Sequence, residues 1–305
     1  MFGKVPAAGD FIAVNTSSAI GRQLDQWLRD GIDNVLARRK PPPQQPLRFL
    51  YRDPAGQTAC IGVMVPSADK VGRRFPICAY AELDVTEATL RFSAMPAAYA
   101  PFLDHAARIF TEQARTAPVE ELARQIAGLQ LPTASEIQEA TDWADEALKA
   151  TPGQTLLEAL FGPVAEGVHY HALNMARAAC LRLRGNAADI ADTLLDCHAS
   201  DDVQLLFWMR LIGALLQWRT APPCVIWNAA DSRDHRLIFA LGSPDPAIVH
   251  FLADPNLTAE RLWPMKTNNA TTIQRGRASL PPGLLAALEP PAPTAEQIVV
   301  AAAAS

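Results

Sequence analysis

Apolar residues first recur at helical spacing from Ile20. Ile20, Leu24, Trp27, Leu28, Ile32, Val35 and Leu36 fall on one face of a helix that runs to about Arg38, because side chains three and four positions apart stack on one side of the turn. Ser17 and Ser18 stand where the first free amides need a side-chain acceptor. Pro41-Pro42-Pro43 ends the helix, since proline brings no N–H to continue the ladder. Ahead of it, Phe2 to Ile12 carries Gly3, Gly9 and Pro6 and reads as a short strand with a loop.

The period then shortens to two. Leu47 to Arg52 and Thr58 to Val65 flank the turn residues Asp53-Pro54-Ala55-Gly56, which predicts a hairpin. A third strand is predicted over Phe75 to Leu83, beyond the polar loop Pro66 to Arg74. Helical spacing returns over Ala97–Arg115, Val119–Gly128 and Ser135–Lys149, punctuated by Pro118, Pro132 and Pro152. Leu181 and Leu183 alternate with Arg182 and Arg184 and predict a short strand before Gly185-Asn186. Helices are expected over Ala187–Cys197 and Asp202–Trp218, followed by strands Cys224–Asn228 and Arg236–Leu241 joined by Ala229–His235. Ser243-Pro244-Asp245-Pro246 introduces a short helix to about Leu252, and the Pro/Ala-rich residues Pro281 to Ser305 read as a flexible tail.

An early strand group and a late hairpin, with helices between, predict an α/β chain of the α+β type. Its sheet would be mixed, largely antiparallel and flanked by helices, with an additional helical region. The expected organisation is residues 1–95 as an N-terminal α/β region and 96–255 as helices plus hairpin packed against it. Residues 256–305 would form a partly flexible extension.

Composition narrows the class. Of 305 residues, 49% are hydrophobic and 19% charged, enough apolar material for a sizeable core. A net charge of −5 provides no general attraction to nucleic acid or anionic lipid. The most apolar helical stretch, Val203 to Trp218, is broken by Gln204, Arg210 and Gln217 and reads as a core helix without membrane insertion. The opening residues lack the basic and apolar regions of a leader. Cys60, Cys78, Cys180, Cys197 and Cys224 form no C-x-x-C pair. A reducing cytoplasm is the expected compartment.

Candidate chemistry is sparse. The glycines near Lys4 match neither a phosphate loop nor a dinucleotide fingerprint. His169 and His171 could share one face of a strand, but no further ligand lies at a familiar spacing. Asp231-Ser232-Arg233-Asp234-His235 holds triad residue types, yet adjacent residues do not line up as nucleophile, base and orienter. The expectation is a non-enzymatic protein without metal or cofactor. Trp27, Trp208, Trp218 and Trp227 read as core, whereas Trp143 lies among Asp142, Asp145 and Glu146 and is expected at the surface. The densest charge is Asp69-Lys70-Val71-Gly72-Arg73-Arg74. One arginine there can brace Asp10 or Asp69 while the other faces a partner, since guanidiniums grip carboxylates or phosphates by forked hydrogen bonds.

Two stretches resemble the TagF/ImpM family of type VI secretion accessory proteins. Phe2-Gly3-Lys4-Val5-Pro6-Ala7-Ala8-Gly9-Asp10-Phe11 is similar to the family's opening, and Pro66-Ser67-Ala68-Asp69-Lys70-Val71-Gly72-Arg73-Arg74-Phe75-Pro76 to its second signature. The helix with Asp25-Gln26-Trp27-Leu28 lies between them, and a weaker similarity returns at Trp227 and Gly242-Ser243-Pro244-Asp245-Pro246. The resemblance implies a longin- or profilin-like adaptor architecture and a post-translational repressor of type VI secretion. Its implied partner is a forkhead-associated-domain scaffold. The motif or partner-binding residues would be Lys4, Gly9, Asp10, Trp27, Ser67, Asp69, Lys70, Gly72, Arg73 and Arg74. Two alternatives stand beside this: a phosphate-ester hydrolase using Arg73, Arg74, His169 and His171, or a structural subunit of the secretion assembly. The oligomeric state is left open.

Overall fold

The computed structural model describes residues 1–184, 193–228, 235–254, 256–289 and 293–304. In chain order they form β1 (Phe2–Gly3), β2 (Ile12–Ala13), α1 (Ala19–Ala37), β3 (Leu47–Arg52), β4 (Ala59–Val65) and β5 (Ile77–Leu83). Helices α2 (Val85–Leu90), α3 (Met95–Ala98), α4 (Ala100–Gln113), α5 (Val119–Ala127), α6 (Ala134–Ala150), α7 (Gly153–Phe161) and α8 (Val168–Leu181) follow. Then come β6 (Thr193–His198), α9 (Asp202–Leu216), β7 (Cys224–Asn228), β8 (Arg236–Leu241), α10 (Ile248–Ala253) and β9 (Leu262–Pro264). The chain closes with α11 (Ala270–Ala278), α12 (Pro282–Leu288) and α13 (Ala295–Ala304).

The strands join into one nine-stranded sheet in the order β2-β1-β5-β4-β3-β7-β8-β6-β9. Its pairs are antiparallel except β6–β9, which is parallel. This bears out the mixed, largely antiparallel sheet with helices. The early group and the late hairpin meet where β3 pairs with β7, Phe49 opposite Ile226. Strand β4 shows the period-two rule at work. Ile61, Val63 and Val65 enter the core on one face, Cys60 and Met64 the core on the other. Helices α1 and α10 supply the second of these cores with Leu24, Leu28, Ile248 and Val249. They cross closely at Gly31, where a Cβ would come within 2.5 Å of Val249 Cγ2.

Four expectations need correction. Residues 193–198 are strand β6, not the end of a helix over Ala187–Cys197, and β6 pairs along its length with β8. Leu181 closes α8 and Leu183 lies in the turn after it, so no strand forms there. Arg182 instead stacks over Trp263 and Arg184 donates to the Ala303 carbonyl. His169 and His171 lie on a helix, not a strand. The expected Pro/Ala-rich extension is built into the core: α13 buries Ala295, Ile298, Val299 and Ala302, and α12 buries Leu284 and Leu288. Alanine is the best helix former and needs little room, so a composition that suggests a tail suits a helix inserted between others. The expected turn at Gly185-Asn186 and the residues Asp231-Ser232-Arg233-Asp234 lie outside the described residues.

Candidate functional site

The β4–β5 connection is organised around one carboxylate. Asp69 is buried, and its Oδ1 accepts from the backbone N–H of Val71 at 3.1 Å and of Arg73 at 2.9 Å. Its Oδ2 accepts from Arg73 Nε at 2.6 Å and lies 3.1 Å from Lys4 Nζ. Gly72 closes the turn with φ of +87°, a conformation glycine adopts without steric cost. Arg73 Nη2 continues to the Gly9 carbonyl at 2.7 Å, and the Lys70 N–H donates to the Ala8 carbonyl at 2.9 Å. The two family-like stretches therefore fold as one unit, with Asp69 as its centre.

Burial by itself would raise the Asp69 pKa. The Arg73 backbone N–H, the Arg73 guanidinium and the Lys4 ammonium outweigh it and hold the carboxyl well below the usual carboxylate range. The stability this arrangement contributes is complete above the ordinary aspartate pKa and is lost as pH falls toward the depressed value. Asp10 is a minor partner: it is fully exposed and 3.9 Å from Arg73 Nη2.

The remaining motif residues divide between inside and outside. Trp27 is buried on α1 against Tyr51, ring centroids 5.5 Å apart, and is a core residue, not a contact residue. Trp208, Trp218 and Trp227 are buried too, whereas Trp143 is 41% exposed. Gly9 and Lys70 are exposed, and Val71 at the loop tip is 72% exposed. Arg29, on α1, lies over the Phe11 ring at 3.6 Å, a cation–π contact with the first family-like stretch.

Arg74 points the other way. Its backbone bridges Ala68, while its side chain is exposed and lines a cleft of about 460 Å³ with Ser67. Prolines 6, 42, 43, 46, 66 and 76 make up much of the cleft wall, and Val65 and Phe110 lie at its buried side. Arg115, from the turn after α4, lines the same cleft, and no Asp or Glu does. Sequence reasoning missed Arg115 and the prolines, because they come from four separate segments. Their convergence is set only by the tertiary fold.

The histidine pair does not converge. Positions two apart on a helix point to different faces. His171 Nε2 lies 3.2 Å from the Pro264 carbonyl, while His169 is buried against Tyr170. Burial, and secondarily Arg277, lowers the His169 pKa to about 4. Among the described residues no group of three His, Cys, Asp or Glu is placed to hold a metal ion, and no helix is long and apolar enough to cross a membrane. The five cysteines are buried and unpaired.

Residues 1–129 match the profile of the TagF N-terminal domain, described as type VI secretion system-associated. Over those residues the chain resembles a TagF N-terminal domain. The match contains both family-like stretches and runs from β1 through α5. The matched region thus supplies β1 to β5, and its β3 pairs with β7 from the rest of the chain. A crystal structure of PA0076 from Pseudomonas aeruginosa PAO1 is similar, with 16% identity over 86% of this chain and 97% of that one and a TM-score of 0.48. No curated protein matches the sequence.

Proposed function

We propose that this type VI secretion system-associated protein is a non-enzymatic, cytoplasmic regulator that represses the system by binding a partner protein through its signature loop. The partner implied by the family resemblance is a forkhead-associated-domain scaffold. One observation carries the reading: Asp69 takes up Lys4 and Arg73 as internal braces, and Arg74 is displayed beside an open cleft. A loop held by a buried carboxylate loses little conformational freedom on docking, which favours its use as a recognition element.

Secretion itself tests the reading. Cells lacking the protein should release more of a type VI effector, and cells overproducing it less. An Arg74→Glu protein at equal abundance should fail to suppress release. Unchanged release in all three strains would remove the regulatory role. The hydrolase alternative is tested by incubating the purified chain with para-nitrophenyl phosphate across divalent metals: turnover lost on Arg73→Ala or His171→Ala substitution would replace the binding reading with a catalytic one.

A further inference from the structure

We infer that the cleft beside Arg74 receives an extended, carboxylate-bearing peptide segment gripped jointly by Arg74 and Arg115. This deepens the binding reading above and rests on it. The two guanidiniums reach the cleft from different elements, Arg74 from the β4–β5 loop and Arg115 from the turn after α4. Both are exposed, and among the described residues neither forms an ion pair. Cations left without an internal partner are available to an outside anion. The chain as a whole carries −5, yet no acidic residue lines this cleft. The site is therefore a local inversion of the protein's charge, complementary to an acidic segment.

The prolines sharpen the choice of ligand. They contribute no backbone N–H, so those positions of the wall offer an anion no amide, unlike a glycine-rich loop. The charged donors that line the cleft are the two guanidiniums, which can grip a carboxylate by forked hydrogen bonds. Proline also fixes the wall's backbone, which lowers the ordering cost of binding. Apolar walls over Val65 and Phe110 suit aliphatic or prolyl side chains lying between carboxylates. A volume of about 460 Å³ accommodates a few side chains of an extended strand, not a folded surface.

The test uses the full chain and fluorescein-labelled peptides of alternating glutamate and proline, with lysine–proline and phosphoserine–proline counterparts, read by fluorescence anisotropy. The glutamate peptide should bind and the lysine peptide should not. Arg74→Glu and Arg115→Glu should each weaken binding by about tenfold or more. Arg124→Glu, on α5 outside the cleft, should change it less than about twofold. Arg74→Gln and Arg115→Gln, checked by circular dichroism, replace any charge-reversed variant that does not fold.

Failure of the glutamate peptide to bind, equal binding of the lysine peptide, or indifference to Arg115→Glu overturns the inference. Binding of the phosphoserine peptide alone overturns the assignment to carboxylates. The two levels separate cleanly. If scaffold capture needs Arg74 but neither scaffold nor peptide senses Arg115, the cleft inference fails and the regulatory reading stands. If the peptide result holds and scaffold capture ignores both arginines, the regulatory reading fails.

Discussion

Substituting Arg73 and Arg74 separately probes the division of labour in the signature loop. Arg73→Ala removes a 2.6 Å hydrogen bond to Asp69 and a 2.7 Å hydrogen bond to the Gly9 carbonyl. A hydrogen bond to a charged group contributes about 1.5–3 kcal/mol when buried. The Arg73 side chain is 58% exposed, so water replaces part of each bond, and a total of about 1–2 kcal/mol is the reasonable figure. Asp69 keeps Lys4 and two backbone donors and is not stranded. An unfolding entropy of about 2.1 cal/mol/K per residue turns this into a Tm loss of roughly 2–3 °C for a chain of 305 residues. Arg74→Ala breaks no internal bond and should stay within about 0.5 kcal/mol, or less than about 1 °C. Arg73→Lys should recover only part of the loss, because one ammonium cannot reproduce the forked geometry. Calorimetric melts of the purified variants decide the matter. Equal shifts for the two alanine variants, or a larger one for Arg74→Ala, would refute the inward–outward assignment.

Three further outcomes follow from the core. His169 stays neutral in the folded chain down to about pH 4 but protonates near 6.5 when unfolded. Its contribution is thus complete above about pH 6.5 and lost as pH falls toward 4, and His169→Gln should flatten the urea-midpoint profile in that window. Gly62→Ala places a Cβ within 2.4 Å of the Ala79 carbonyl oxygen and 2.5 Å of Phe49 Cζ; chemical denaturation should show a loss of about 2–3 kcal/mol, or no folded protein. Ile298→Ala should cost about 2–4 kcal/mol by the same assay, whereas a change within about 0.5 kcal/mol would mean that α13 is not part of the core.

Legibility in the sequence tracked how local the determining interactions are. The β3–β4 hairpin was readable because its turn is self-contained: Asp53 Oδ1 accepts from the Gln57 and Thr58 amides, both at 2.7 Å. The start of α1 was readable for the same reason, with the Ser18 hydroxyl accepting from the Gly21 amide at 3.2 Å. Strand β6 was not. Thr193, Leu194, Leu195 and Cys197 are all buried, so the strand lacks a solvent face and its alternation disappears. Its identity as a strand comes from pairing with β8 and β9. Helix α13 was hidden by its alanines. Within the site, Asp69 and Arg73 are four residues apart and could be paired by inspection. Lys4 joins them only because β1 lies beside β5, and Arg115 reaches the cleft only through the packing of α4.

The most direct measurement is the affinity of purified forkhead-associated-domain scaffold for the wild-type, Arg73→Ala and Arg74→Glu proteins, by biolayer interferometry on samples shown to be folded. The account predicts at least about a tenfold loss for Arg74→Glu and less than about a threefold loss for Arg73→Ala. Equal affinities for wild type and Arg74→Glu would contradict it.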